Sequence, residues 1–372
     1  MNRTIVNIIS EQTTPNFLFI KEMFQPEDEL LFITSRKYEE RITWIMQAVG
    51  YTEPFHNIKK IILGEGAEED WTQMYTSING SISDVKHYIV NLTGGTKYMS
   101  LAVLSIFEKL NANFYYIPFP KNVILRIFPG TTTHVSEKYS LKHRMTVEEY
   151  MKNYSNPVKG SPLSQDVVYT KKFFGCFIEG KVEHKIISSL REYRNTNKNP
   201  KTTDIHIIPK LNDLLQAIEF PIKKEDILSK DEVKYLIGGW FEEYIYNRIL
   251  ETLNPNDIKL GLHISPQKNH QNELDVVFTY GNKLFVVECK TGIDDERMFK
   301  DTVYKATSIK NALLGLSANT FIFSLSKSDS TQMNKFGDTA KAMGIYYFDR
   351  DYFFDDQKFE ELVNTMKGMA KN

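Results

Sequence analysis

Residues 273–292 read ELDVVFTYGNKLFVVECKTG. Two runs rich in β-branched and aromatic residues flank Gly281-Asn282, a two-residue connection that signals a hairpin and fixes the register of its strands. With Tyr280 opposite Lys283, counting outward places Asp275 opposite Glu288 and Glu273 opposite Lys290. Side chains alternate with period two, so all four charges are expected on one face. Leu274, Val276, Phe278, Phe285, Val287 and Cys289 are expected on the other, in a core. Carboxylates opposed at about 5 Å between Cβ atoms repel each other, and a hard divalent cation offsets that repulsion. Mg²⁺ or Mn²⁺ takes oxygens from one or two carboxylates and keeps positions for water and phosphate. Lys290 would orient or help deprotonate the attacking water and offset charge developing on phosphorus, the minimal equipment for phosphodiester hydrolysis. A merely solvated charged face is disfavoured by the apolar residues of GNKLFVVECKTG. Glu273 stays open, as Lys290's ion-pair partner or as a tuner of its charge.

Outward from this hairpin, residues 231–372 alternate helical and strand patterns. A helix over DEVKYLIGGWFEEYIYNRILETL comes first, then strands near 258–265, 273–280 and 283–291. A helix near 296–314, strand NTFIFSLS, a helix near 330–343, strand IYYFD and a terminal helix complete a compact α/β unit. Residues 1–145 alternate short strands (TIVNIIS, ELLFITS, KKIIL, HYIVNLT) with helices near 15–24, 38–49, 68–79 and 96–110, and close on ANFYYIPF and NVILRIF. That alternation predicts a largely parallel, Rossmann-like sheet covered on both faces. Turn-forming residues near 130–165 mark the boundary. Residues 146–230 are expected to be a linker and an extension of the second domain, with REYRNTNKNPKTTD as an exposed loop.

In IVNLTGGTKYMSLAVLSIF a buried strand runs through Thr93-Gly94-Gly95-Thr96 into a helix opened by Lys97. Glycines let backbone approach a ligand, and the N–H groups and dipole of the helix start favour an anion. Ser10, Gln12 and Thr13 after the first strand, and Ser35 after the second, belong to the same rim beyond the carboxyl ends of the strands. The turn matches neither G-x-x-x-x-G-K-[ST] nor G-x-G-x-x-G, which disfavours a Walker-type ATPase and a dinucleotide oxidoreductase.

The chain has 372 residues, 41% hydrophobic and 25% charged, with a formal net charge of −1. Two domains are the starting expectation, and a nucleic-acid contact must come from a local patch rather than a bulk field. Two cysteines, Cys176 and Cys289, give no disulfide framework. Without a signal-peptide core or a stretch of about 20 apolar residues, a cytoplasmic protein with no membrane partner is expected.

Asp275, followed after the hairpin by Glu288-Cys289-Lys290, resembles the D…(D/E)-x-K core of PD-(D/E)xK nucleases. Leu274 stands where their classical proline would. The resemblance implies catalysis by Glu242, Asp275, Glu288 and Lys290, and Mn²⁺ or Mg²⁺ held by Asp275, Glu288, Cys289 and Glu242. GGWFEE resembles the family's GGW-(L/F)-E pattern, from which Glu242 is chosen; helical periodicity does not separate it from Glu243. Asp294, Lys305 and Lys310 are auxiliary candidates, with capping or solvation as their alternatives. A Rossmann-like half carrying LTGGTK before such a domain is similar to the CARF-domain effector nucleases of type III CRISPR systems. That resemblance implies that Ser10, Gln12, Thr13, Ser35, Thr93, Gly94, Gly95, Thr96 and Lys97 line a cyclic-oligoadenylate pocket. It further implies a cyclic tetra-adenylate activator, a homodimer, and cleavage of single-stranded DNA or RNA. A ligand-independent nuclease of restriction or repair type and a CARF-type regulator without cleavage are the alternatives.

Overall fold

The β-branched runs of the first half pair into a seven-stranded sheet of order β3-β2-β1-β4-β5-β6-β7. Its strands are β1 (Arg3–Ile8), β2 (Glu29–Ser35), β3 (Ile58–Leu63), β4 (His87–Asn91), β5 (Asn113–Tyr116), β6 (Val123–Ile127) and β7 (Lys138–Ser140). The first five are parallel, and β6 and β7 turn back antiparallel. Helices α1 (Thr14–Met23), α2 (Glu40–Val49), α3 (Trp71–Asn79) and α4 (Lys97–Glu108) are the crossovers. They cover both faces: Phe17, Leu18 and Ile45 pack on one, and Met74, Ile78, Met99 and Val103 on the other. Strand order reverses between β1 and β4, the switch point where open α/β sheets hold ligands. This computed structural model describes residues 3–51, 57–83, 86–128, 137–156, 159–267, 270–292, 296–309, 318–326 and 330–371.

The middle of the chain is helical: α5 (Val147–Lys152), α6 (Val167–Ile178), α7 (His184–Thr196) and α8 (Leu211–Ala217), with a small ribbon of β8 (Thr202–Asp204) and β9 (Ile227–Ser229). The tract REYRNTNKNPKTTD is therefore not one loop. Its first six residues continue α7, held down by buried Ile186, Ile187 and Leu190, and Thr202–Asp204 pairs in the ribbon.

The second sheet has the order β10-β11-β12-β13-β14. Its strands are β10 (Asp257–Gln267), β11 (His270–Tyr280), β12 (Lys283–Lys290), β13 (Ala318–Ser324) and β14 (Ile345–Phe348). The first three are antiparallel, and β13 and β14 run parallel to β12. Helices α9 (Lys230–Lys234), α10 (Trp240–Leu253), α11 (Glu296–Ile309), α12 (Ser330–Ala342), α13 (Asp351–Phe354) and α14 (Asp356–Lys371) complete it. The helix expected from residue 231 onward is broken. A wide π turn, Tyr235–Gly239, separates α9 from α10, with Gly238 outside helical geometry.

At the hairpin, Gly281 (φ 58°) and Asn282 (φ 62°) both adopt positive φ, as a type I′ turn requires. Tyr280 pairs with Lys283, and the ladder runs to Val276–Val287, one step short of Asp275 and Glu288. Alternation is not kept along β11. Leu262 and Leu274, paired directly, join the core shared with the first half, whereas Leu260 and Val276 join the core under α10 and α14. Between them lies Gly261 at φ 54°, a left-handed residue that breaks the pleat. Leu274 therefore does not share a face with Val276, and Glu273 is carried away from Lys290.

The two halves are tied through residues 142–154. Glu22 Oε1 accepts the amides of Lys142 (2.6 Å) and His143 (2.5 Å), and Thr13 Oγ1 donates to Asn153 O (2.8 Å). On the other side the Met145 amide donates to Asn282 Oδ1 (2.8 Å), Thr279 Oγ1 donates to Met145 O (2.6 Å), and the Val147 amide donates to Asp257 Oδ2 (2.9 Å).

Candidate active site and ligand cleft

Where the β11–β12 ladder ends, Asp275 and Glu288 are 8% and 1% exposed. Asp275 Oδ2 accepts the Cys289 amide at 2.7 Å, and Lys290 Nζ sits between the two acids, 3.5 Å from Asp275 Oδ2 and 3.2 Å from Glu288 Oε2. Lys305, on α11, reaches the same Glu288 oxygen at 3.3 Å. Glu288 Oε1 is buried without a hydrogen-bond partner. Burial, then the nearby Glu288, pushes the Asp275 carboxyl up to about 6. Burial of Lys290 opposes its charge, but Asp275 and Glu288 outweigh it and raise its pKa.

The wide turn delivers the first turn of α10 to this place, and its adjacent glutamates diverge. Burial, then Asp275, pushes the Glu242 carboxyl up to about 8, with Lys234 and Lys290 opposing. Glu243 faces away, is 2% exposed, and accepts the amides of Ser164 (2.5 Å) and Gln165 (3.2 Å). Glu242 thus has Asp275 and Lys290 as electrostatic neighbours, whereas Glu243 is bonded to the Ser164–Gln165 loop. Glu273 pairs with Lys234 at 2.5 Å, not with Lys290.

These raised pKa values set a pH dependence. Folded Glu242 and Asp275 hold protons that unfolded carboxyls, with pKa about 4, have released. Without divalent ions the native state therefore binds more protons between pH about 4 and 8, so stability falls as pH rises through that window and levels above it. Thermal melts in EDTA should show the fall, and Glu242→Gln should flatten its upper part. A wild-type melting temperature that rises from pH 6 to 8 would contradict the assignment.

The carboxylate pair fits a divalent cation: two mutually repelling buried acids, one of them with an oxygen that has no hydrogen-bond partner, are the hard oxygen donors such an ion takes. Among the described residues no group of three or more His, Cys, Asp or Glu side chains converges to hold a metal, and Asp275 and Glu288 form the donor pair at the end of the ladder. The Cys289 side chain is not in it. The thiol lies in the apolar core, where burial raises its pKa, and the residue meets the site through its backbone, the amide on Asp275 Oδ2 and the carbonyl 3.2 Å from Lys290 Nζ. Lys305 also borders an open cleft of about 470 Å³ with Arg297, Met298, Asp301 and Thr302. Asp294 and Lys310 lie outside the described residues, as does the expected end of the α11 helix, 310–314.

A second cleft, about 390 Å³, opens at the switch point of the first sheet. Ser10, Gln12, Thr93, Gly95 and Thr96 line it, together with Glu11, Pro15, Lys37, Tyr38 and Glu68. Thr96 caps α4 by accepting the Met99 amide at 3.1 Å, so the helix start borders the cleft. Four expected residues are placed elsewhere. Thr13 is buried with its hydroxyl on Asn153 O. Ser35 is buried at the end of β2, and Lys97 is exposed on α4 outside the lining. Gly94 packs on β1, where an added Cβ would meet Ile8 O at 1.8 Å. Lys37 and Tyr38 stand two and three residues past Ser35, so the strand-end rule that selected Ser35 also reached their loop.

Residues 4–150 match the family model for the Card1 CARF domain, and residues 229–343 match that for the Card1-like endonuclease domain. No curated protein matches the chain. Among solved structures, the whole chain is similar to VC1899 from Vibrio cholerae, with 15% identity, a TM-score of 0.75 and 99% of that chain covered. It is also similar to Can2 from Sulfobacillus thermosulfidooxidans, solved with cyclic tetra-adenylate, at 21% identity and a TM-score of 0.73 with both chains fully covered. A type III CRISPR defence DNA nuclease activated by cyclic oligoadenylate matches 94% of this chain and 50% of its own, with 15% identity and a TM-score of 0.54. These likenesses show a shared fold. Among the described residues no helix is long and apolar enough to cross a membrane.

Proposed function

We propose that this chain, which belongs to the CARF-domain nucleases of the Card1 type, is a divalent-metal-dependent endonuclease. In this reading it cuts single-stranded DNA or RNA when a cyclic oligoadenylate, cyclic tetra-adenylate being the first choice, fills the cleft of its first domain. The observation that carries the reading is the buried Asp275–Glu288 pair with Lys290 between them, inside the endonuclease domain. The cyclic tetra-adenylate bound in the Can2 structure supports the choice of activator.

Asp275 and Glu288 would hold Mn²⁺ or Mg²⁺ through Oδ and Oε, with Glu242 across from them. When bound, the cation supplies Lewis acidity at the phosphate and activates water. Lys290, fixed by two acids and the Cys289 carbonyl, keeps its proton and donates a hydrogen bond to charge developing on phosphate oxygens. Glu242, protonated in the metal-free protein, becomes an acceptor once added positive charge lowers its pKa. Lys305, half-exposed, trades Glu288 for a substrate phosphate at the mouth of the cleft beside α11.

A homodimer suits a two-fold ligand, since an isologous contact presents each loop twice. Trp71, Tyr98 and Leu101, 36%, 39% and 57% exposed, form a patch on α3 and α4, with Trp71 and Tyr98 in ring contact at 5.4 Å. The test is one cleavage assay on labelled single- and double-stranded DNA and RNA, with and without cyclic tetra- or hexa-adenylate and Mn²⁺. Cutting of single strands only with both additions is expected; cutting that ignores the activator, or none at all, refutes the reading. Light scattering should report a dimer that Leu101→Glu splits; a monomeric wild type removes the dimer.

A further inference from the structure

We propose that Arg191, on the helical insertion between the two domains, is a positioning residue that sets the distance between the two backbones carrying the cutting site. The proposal rests on the reading of Glu242, Asp275, Glu288 and Lys290 as that site, and gives the insertion a task in it. Arg191 Nη2 donates to Ile237 O at 2.9 Å and to Thr291 Oγ1 at 3.1 Å. Ile237 lies in the wide turn between α9 and α10, three residues after Lys234 and five before Glu242. Thr291 follows Lys290 directly.

One rigid, planar guanidinium therefore bridges the helix that brings Glu242 and the strand end that brings Lys290. The turn needs such support, because a π-type turn departs from regular helical hydrogen bonding and its carbonyls look for other donors. Lysine is a poor substitute, since both bonds leave Nη2, whose two N–H directions are fixed in the guanidinium plane, whereas an ammonium on a flexible stem rotates freely. The insertion grips the same helix from its other side. Glu243, back to back with Glu242, takes the Ser164 and Gln165 amides that lead into α6. Arg191 is hydrogen-bonded to Ile237 and Thr291 rather than to Glu242, Asp275 or Glu288, and acts through those two.

A shift of about 1 Å in a catalytic group costs rate by up to ~10²-fold. The test measures kcat and KM of the full-length protein on a labelled single strand with cyclic tetra-adenylate and Mn²⁺. Arg191→Ala should lower kcat about 10- to 100-fold with KM and activator affinity unchanged and only a small fall in melting temperature, and millimolar guanidinium should restore part of the loss. Arg191→Lys should recover little. Thr291→Val, which removes one bond only, should give a smaller fall, and the double variant should be no worse than Arg191→Ala because both act through one bridge. A wild-type kcat in Arg191→Ala, or a loss confined to KM or melting temperature, overturns the proposal; if that variant does not fold, Thr291→Val decides by the same split. Glu288→Ala run alongside separates the two readings. If it is inactive while Arg191→Ala is fully active, only the positioning role falls; if it cuts normally, the site reading falls first.

Discussion

Replacing Glu288 by alanine should abolish cleavage, lowering the rate about a thousandfold or more, and should leave activator binding and oligomeric state as they were. The magnitude follows from what the side chain does. Loss of a divalent cation that both activates water and neutralises phosphate removes several kcal/mol of transition-state stabilisation, and each ~1.4 kcal/mol is tenfold. No neighbour substitutes for it: Glu288 Oε1 is buried and unpaired, and Oε2 is shared by Lys290 and Lys305. Alanine leaves Lys290 beside Asp275 alone, so the one remaining acid is held by a lysine rather than free for a cation. Glu288→Gln keeps the shape and loses the charge, and should be as inactive. A readout independent of turnover comes from linkage. A cation that binds the folded state raises the melting temperature in proportion to ln(1 + [M]/Kd), so Mn²⁺ should stabilise the wild type and not Glu288→Ala. A variant that still cuts at the wild-type rate, or that Mn²⁺ still stabilises equally, removes Glu288 from the metal site.

The hairpin was readable because its determinants are local. Gly281-Asn282 dictates positive φ at both turn positions, and the apolar runs beside it fix which strands pair. The strand-to-helix alternation of the first half was readable for the same reason: each crossover needs only its own amphipathic helix. What failed to show in sequence depends on partners distant along the chain. Glu273 turns from Lys290 to Lys234 because Gly261, on the neighbouring strand, breaks the pleat. Thr13 looks like cleft lining until Asn153, 140 residues later, takes its hydroxyl. Gly94 reads as a phosphate-loop glycine, yet its lack of a side chain serves the packing of the turn on Ile8. The choice between Glu242 and Glu243 needed the wide turn at Tyr235–Gly239, whose helical phase no periodic count contains, and the Ser164–Gln165 loop that claims Glu243.

Asn282→Gly should uncouple the two domains, giving a protein that binds activator and Mn²⁺ but is activated at least about tenfold less. Asn282 is fully buried, and its side chain reaches three ways: it accepts the Met145 amide at 2.8 Å and donates to Asn122 Oδ1 at 2.7 Å and to His143 O at 3.2 Å. Its position in the hairpin turn joins it rigidly to the strands bearing Asp275 and Glu288. Residues 142–154, on its other side, are bonded to the first domain through Glu22 and, beside the cleft loop, through Thr13. If a ligand closing on Ser10 and Gln12 shifts the loop that continues into Thr13, residues 142–154 are bonded so as to carry that shift to the turn. Coupling needs an element both sites bias, and this one is in contact with both ends. Glycine is the informative replacement because it keeps the positive φ at no steric cost and deletes only the side-chain bonds. Each lost hydrogen bond costs roughly 1 kcal/mol of stability, so rates should be compared well below the melting temperature. Asn254→Gly, at another left-handed position (φ 50°) that closes α10, is the control and should activate normally. Full activation of Asn282→Gly would mean that the signal bypasses this turn, and an equal loss in Asn254→Gly would mean that flexibility, not lost bonding, causes the effect.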